Sequence, residues 1–522
     1  MHQSGSYQDG YPRRTLTFYL AIAAICVCFF MSALDTVIVA SALPKIAQVL
    51  HADSVEAYWC GTGFLFAQTI AQPIYGVFSS VVGMKACIMV AVSIFLVAIF
   101  CAAAQSIAWL IAARVFQGIG GGGINAMVIV IISAIVPLVE RGRYIGFVML
   151  SGAVGLVLGV VLGAVIAQRT VFYINIPICT VALVGVYFFL HLPKPQSQLW
   201  EAVKVVDWVG IVLLSGSLVG VLYDITGGNV LYSWDSPQII TPLVVGSVRI
   251  AVFVYHEHRW ASNPIIPLRV FASRTAASGY YTTFIHGLVL WAITYYLLLY
   301  FVIAQHHSLL VVAPMATVGG LGMAFTKRFF PFNLFAWICI TSSVGLFATL
   351  TPSSPLAAQY DFQILTAMGS GIIYPGRVMA VQTPQRVQGD IPIASTLVSF
   401  FAALGQSFGL GIGSTVFQNA WTAQVDRHIA NGALSEAYRV LAQDAKSESL
   451  LFPTFPENVG NAYGTVVSGS LRVLWITLAG LAASACLLTL LQRNLSTARP
   501  LPEDGNSSVT SQDVLVVVNE QK

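Results

Sequence analysis

Residues 152–168 read GAVGLVLGVVLGAVIAQ, with Gly155, Gly159 and Gly163 four apart in an otherwise apolar run. In a helix that spacing stacks all three along one side, although glycine costs about 1 kcal/mol per position against alanine. A helix in water gains nothing from such a ladder. In lipid, helices gain little from hydrophobicity against each other, and small residues at i, i+4 let two backbones approach closely. The ladder recurs at Gly405, Gly409 and Gly413, and the Gln168 that follows the first recurs as Gln418, each 250 residues further on. Two copies of one membrane-embedded unit, each near half the chain, follow from that displacement.

The composition agrees. Of 522 residues, 57% are hydrophobic and 9% charged, with a mean hydropathy of +0.79. Soluble domains carry about 25% charged residues, so the solvent over most of this chain is lipid. A net charge of +4 with no dense basic run excludes a nucleic-acid partner. The eight cysteines form no CxxC pair and no metal-ligand spacing, so neither a disulfide framework nor a metal site is expected, and no cofactor is implied.

Apolar stretches of spanning length occur fourteen times, at about 18–42, 57–80, 86–105, 108–136, 144–167, 171–191, 207–226, 238–256, 277–304, 309–325, 332–350, 361–382, 391–417 and 470–491. Arg13 and Arg14 precede the first, which reads as a signal-anchor span. Spans 1–6 and 9–14 are the two copies, and spans 7 and 8 are inserted between them. The expected fold is therefore an all-α polytopic membrane protein of two six-helix bundles plus two inserted helices. Its divisions are a cytosolic tail 1–17, an N-terminal bundle 18–192, a linker with the inserted spans 193–256, a C-terminal bundle 257–491 with a long non-cytosolic loop 418–469, and a disordered cytosolic tail 492–522. Putting both termini in the cytosol leaves sixteen Lys and Arg on that side against six outside. Parallel halves of this kind are a transporter architecture, with the substrate held between them near the bilayer midplane. The Gly ladders then mark seams along which the halves pack and rock.

Ionisable residues inside spans are expensive and point to function. Asp35 in span 1 lies roughly 13 Å below the outer face and Arg114 in span 4 roughly 10 Å below it, at 1.5 Å per residue. Opposite charges at one depth can pair, and an aspartate beside an arginine has a protonation state that a conformational change alters. They are the candidates for proton coupling; a fixed structural ion pair is the alternative. His286, Trp291 and Tyr295 in span 9 and Gln117 in span 4 are candidates for a substrate cavity, against an ordinary core role. Arg249 and Arg377 lie close enough to the cytosolic ends of spans 8 and 12 to snorkel. The HEH at 256–258 sits at a helix end without a further ligand cluster and reads as an interfacial patch.

Several stretches now resemble one family. LDTVIVASALPKIA (34–47) and LIAARVFQGIGGGG (110–123) resemble the span 1 and span 4 motifs of the fourteen-span drug:proton antiporters of the major facilitator superfamily. FYINIPI (172–178), TGGNVLYSWDSPQII (226–240), HGLVLWAITYYLLLYF (286–301) and GIIYPGRVMAVQTP (371–384) are similar to fungal members, so that the resemblance covers residues 15–493. It implies export of small amphipathic compounds, drugs or secondary metabolites, in exchange for protons, by a membrane-embedded monomer. A plasma-membrane location is favoured over a vacuolar one. Two departures qualify it. The cytosolic motif between spans 2 and 3, GVFSSVVGMK (76–85), keeps Gly76, Gly83 and Lys85 but has Ser80 in place of the family's acid, with Val81 and Met84 in place of its arginines. The family's span 5 proline is absent, with Val160 after Gly159. An uncoupled facilitator or importer, or a transport-inactive receptor, is the alternative; no cluster of catalytic groups supports an enzyme.

Overall fold

The computed structural model describes residues 14–52, 54–166, 169–192, 204, 206–228, 232–304, 328–385, 387, 389–442, 445 and 455–495. Its long elements are helices: α1 (Leu16–Val49), α2 (Ser54–Val81), α3 (Met84–Phe95), α4 (Ala98–Ala102), α5 (Ile107–Ile135), α6 (Leu138–Ile166), α7 (Asn175–Phe189), α8 (Trp208–Gly227), α9 (Pro237–Arg259), α10 (Arg274–Ala304), α11 (Phe330–Phe347), α12 (Leu356–Gln382), α13 (Asp390–Ala430) and α14 (Glu457–Thr489). Among the described residues, eleven stretches are long and apolar enough to cross a bilayer, α3 and α4 together making one. The 28-residue α2 and 31-residue α10 also have spanning length. The expected tenth span, 309–325, lies outside the described residues.

Local sequence sets the boundaries. Ser106 accepts a hydrogen bond from the Trp109 amide and starts α5; Asp207 accepts from the Gly210 amide and starts α8. Between α2 and α3 the chain reverses through Gly83 at φ 97°, a conformation that other residues adopt only with strain.

The helices pack as two related bundles. In the first, α1 lies along α6 and against α7, and α5 lies against α2 and α3; in the second, α10 lies along α13 and against α14, and α11 lies against α12. The Gly ladders sit in the two corresponding seams. A Cβ at Gly155 would come within 2.5 Å of the Phe30 carbonyl oxygen, and one at Gly159 within 2.5 Å of that of Leu34. In the second bundle a Cβ at Gly405 would stand 2.0 Å from the Phe284 carbonyl oxygen, at Gly409 2.3 Å from that of Leu288, and at Gly413 2.6 Å from the Tyr296 ring. Gly163 is buried on the same side of α6. The seams therefore lie within each bundle rather than between them, a correction to the expectation from sequence. Two long helices can come this close only where one of them carries no side chain at the crossing.

One end of the molecule, called here the near end, gathers the start of α1 with that of α6 (Arg14 to Glu140, 3.1 Å) and the start of α10 with the end of α14 (Thr275 Oγ1 accepting from the Arg493 amide, 3.0 Å). The bundles meet where α13 crosses α2 and α5 and where α12 crosses α6. The inserted α8 pairs with α9 and touches both α2 and α13: Trp59 stacks on Tyr223 at 5.7 Å, and the Ile225 carbonyl oxygen fills the space beside Gly411. Outside it, α9 exposes Val244, Val245, Val248, Val252 and Val254, as a lipid-facing helix does. At the far end, the expected loop 418–469 is partly helical. The 41 residues of α13 run on to Ala430 and α14 starts at Glu457. At 1.5 Å per residue α13 is about 60 Å long, roughly twice a hydrocarbon core. Trp421 and Tyr463 stack at 5.7 Å and hold the connecting segment, Trp421 Nε1 donating to the Val440 carbonyl at 3.0 Å.

Candidate functional site

The charges predicted inside the membrane come together. Asp35, Arg114, Gln117 and Asn175 are each at most 1% exposed. Arg114 Nη1 bonds Asp35 Oδ2 and also Gln117 Oε1 at 2.6 Å. Gln117 Nε2 donates to Asp35 Oδ1 at 3.0 Å and Asn175 Nδ2 to the same oxygen at 2.7 Å. Three donors from two helices thus converge on one carboxylate carried by a third. The guanidinium lies over the Phe64 ring at 4.1 Å, and Arg114 Nε donates to the Cys60 carbonyl at 3.4 Å. The packing of α6 on the Leu34 carbonyl fixes the turn of α1 that carries Asp35. Gln117, a cavity candidate from sequence, spends its amide on the ion pair. Asn175 joins the site without having been a candidate from sequence; its signal there is an asparagine opening an apolar helix within FYINIPI.

A second polar centre lies in the C-terminal bundle. His286 Nδ1 is 3.1 Å from Arg377 Nη1. The imidazole meets Tyr374 edge-on at 4.9 Å and Trp337 edge-on at 6.4 Å, and Arg377 lies over the Tyr374 ring at 4.5 Å. Arg377 is 5% exposed and turns inward to His286, so the expectation that it snorkels is corrected. Trp291 and Tyr295 are half-buried on another side of α10, roughly 140° from His286 for Trp291 at 3.6 residues per turn. They do not join this cluster.

A third network closes the near end between the bundles. Arg141 donates to Gln382 Oε1 at 3.0 Å and to the carbonyls of Ser133 and Val136. Gln382 Nε2 donates to Ser133 Oγ at 2.6 Å and to Ser395 Oγ at 2.7 Å. One turn further in, Ser399 Oγ donates to the Asn125 carbonyl at 3.1 Å. Nothing in the sequence singled these out, because each is an ordinary polar residue near a span end. The retained residues of the 76–85 motif have separate reasons. Gly76 abuts Thr396 across the bundles, where a Cβ would come to 2.9 Å; Gly83 makes the turn; Lys85 donates to the Tyr187 carbonyl at 2.8 Å. In the HEH stretch, His256 faces the Asp207 carboxylate at 2.8 Å and Glu257 accepts from the Ile265 and Ile266 amides. Among the described residues no three His, Cys, Asp or Glu are grouped to hold a metal.

Two repeated helical bundles with polar groups buried at their centres define a polytopic membrane transporter. Residues 25–429 match the family described as Major Facilitator Superfamily, and the chain belongs to that superfamily. It is 33% identical over 490 residues to MFS transporter L2 of Phoma sp., covering 91% of this chain and 81% of that protein. It is 32% identical over 423 residues to the MFS-type efflux pump MMF1 of Pseudozyma antarctica, covering 77% of each, and 30% identical over 434 residues to Efflux pump FUS6 of Gibberella moniliformis, covering 80% and 77%. Among solved structures, the human organic anion transporter MFSD10 superposes with a TM-score of 0.54 at 13% identity, over 91% of this chain and all of that one. The proton:xylose symporter XylE superposes with 0.51 at 12%, over 88% and 95%. At those identities the likeness is one of fold. The superfamily carries small molecules across membranes and performs no covalent chemistry.

Proposed function

We propose that the chain exports small amphipathic organic compounds in exchange for protons, with Asp35 as the proton-carrying group. The observation behind this reading is the carboxylate with three donors, buried where no water reaches it. While the donors are in place, the carboxylate oxygens of Asp35 are bonded by Arg114, Gln117 and Asn175. When α1 shifts against α5 and α7 within its bundle and Arg114 or Asn175 withdraws, a buried carboxylate without partners takes up a proton. Proton binding is thereby tied to conformation, which is what antiport requires. Similar fungal proteins called efflux pumps support the direction. The near end is the cytosolic one, both termini lie there, and the membrane is the plasma membrane. Trp291 and Tyr295, half-buried on α10, contribute the apolar wall of the cavity.

The test compares small molecules inside cells and in the medium for three strains of the source organism: a deletion, a wild-type overexpressor and an Asp35→Asn overexpressor. Export by wild type of a compound that the deletion and Asp35→Asn retain is the expected result. Equal export by Asp35→Asn removes the proton site from the scheme and favours an uncoupled facilitator. No difference among the three favours a receptor that does not transport.

A further inference from the structure

The centre around His286 is a charge without a counter-charge. The C-terminal helices α10 to α14 contain four carboxylates: Asp361, Asp390, Asp426 and Glu457. Asp361 is exposed and sits sixteen residues, about 24 Å of helix, before Arg377. Asp390 is held bidentately by Arg269 at 2.8 and 2.9 Å, and Asp426 pairs with Arg439 at 2.9 Å. Glu457 opens α14 at the far end. The sequence 305–327 contains no Asp or Glu. Arg377 therefore meets only neutral groups among the described residues, in a protein interior where an unpaired guanidinium is costly and cannot shed its proton.

The unused atoms of His286, Arg377 and Trp337 all have one polarity; among the described residues the one unpartnered acceptor nearby is Oδ1 of Asn333, whose Nδ2 donates to the Gly376 carbonyl. Arginine has no acceptor, so Arg377 Nη1 donates and His286 Nδ1 accepts. That places the imidazole proton on Nε2, which has no partner. Arg377 Nε and Trp337 Nε1 likewise have none. His286 is 2% exposed and Trp337 is fully buried. Three N–H donors, one on a guanidinium, are thus left unspent in one cluster. An anion satisfies them, and a carboxylate fits the guanidinium fork best.

The internal repeat shows that this centre borders the passage between the bundles. Leu288 stands to Gly409 as Leu34 stands to Gly159, so His286 is the counterpart of Ser32. Ser32 Oγ donates to Asn125 Oδ1 at 3.0 Å, and the Asn125 carbonyl accepts from Ser399 of the opposite bundle. The first half thus has a neutral pair at the place where the second has a cation, and that place adjoins the interface. Five residues beyond Arg377, Gln382 crosses to Ser133. Tyr374, over the guanidinium, keeps accessible surface.

We propose that Arg377, with His286 beside it, receives the carboxylate of the transported compound, so that the cargo is an amphipathic organic acid. This rests on the export reading for its setting, but the carboxylate site is tested by binding alone. Purified full-length protein in lipid nanodiscs is titrated with 4-phenylbutyrate, 1-naphthoate and decanoate, each against its own primary amide. Unfolding midpoints and equilibrium dialysis are the readouts. At least one acid is expected to bind tenfold or more tightly than its amide. Arg377→Met removes that preference and raises the midpoint of the ligand-free protein, because it removes an unpaired buried charge. Equal binding of every acid and amide overturns the proposal, as does an Arg377→Met protein that keeps the preference. If Arg377→Met does not fold, Arg377→Lys serves: it keeps the charge, loses the fork, and is expected to narrow the preference, an unchanged preference overturning the assignment. Sodium chloride is titrated in parallel. Chloride that saturates the site and blocks the acids at equal concentration makes the counter-ion inorganic and overturns the carboxylate assignment. Acid-selective binding without export in the three-strain comparison leaves Arg377 as a carboxylate site, removes the export reading and overturns the acid's role as cargo.

Discussion

Asp35 and Arg114 illustrate how unequal the two partners of a buried ion pair are. An aspartate that loses its arginine can neutralise itself by taking a proton, whereas an arginine that loses its aspartate stays charged. Asp35→Asn is accordingly expected to destabilise the protein by about 3–5 kcal/mol, the cost of stranding a buried charge. Arg114→Gln is expected to cost clearly less, and the double variant should be more stable than Asp35→Asn alone. Unfolding midpoints of the purified single and double variants check this; strictly additive effects would show that the two side chains are energetically independent. The pair was legible in the sequence because a charge in an apolar run stands out against lipid. Its supporting donors were less so. Gln117 and Asn175 are common residues at helix positions where many orientations are open, and only the packing shows which way the amides turn. The inward turn of Arg377 is hidden in the sequence for a related reason. Distance from a span end permits snorkelling, but His286 and Tyr374 on the inner side give the guanidinium a place to lie, and sequence distance carries no such directional information.

At the level of helices, the repeated glycines mark where two backbones touch. In α13 the Phe284 carbonyl oxygen leaves no room for a Cβ at Gly405, where it would stand at 2.0 Å. Gly345 in α11 and Gly480 in α14 have nothing within 4 Å of a Cβ. Gly405→Ala is therefore expected to push α13 from α10 and lower the unfolding midpoint by several degrees. Gly345→Ala is expected to be neutral or stabilising by up to about 1 kcal/mol, the helix-propensity gain. Thermal unfolding of both proteins in one detergent separates the two; equal effects would mean that the seam yields. The ladder's period was readable, and so was its recurrence half a chain later, because both are one-dimensional patterns. The partner of each ladder was not. A stripe of small residues says that something approaches closely without saying which helix. Only the fold shows α1 and α10 in that place, inside their own bundles.

For the molecule as a whole, the question is what closes the near end, where Ser80, Val81 and Met84 stand in place of the acid and arginines of the motif that 76–85 resembles. The near end is closed by uncharged acceptors around one buried cation: Arg141 and Gln382 bond across the bundles, with Ser133 and Ser395 bonded to Gln382 from either side. A hydrogen bond contributes about 0.5–1.5 kcal/mol net, and one to a charged group about 1.5–3. Three or four such contacts suffice to bias a two-state equilibrium, while remaining weak enough to break once per cycle. Gln382 is the hub, because it bonds Arg141 and Ser133 of the opposite bundle and Ser395 of its own. Gln382→Leu fills the same space, leaves Arg141 without its cross-bundle acceptor, and is expected to shift the population toward a form open at the near end. A Ser399→Cys reporter, one turn inside the network and 6% exposed, reads this out. In vesicles that present the near end to the medium, a membrane-impermeant maleimide should modify Ser399→Cys about tenfold faster in the Gln382→Leu background than in the otherwise native one, after subtraction of the native cysteines' reaction. An unchanged rate would place the closing energy elsewhere, in the apolar contact of Gly76 with Thr396, and Gly76→Leu would then be the variant that opens the near end.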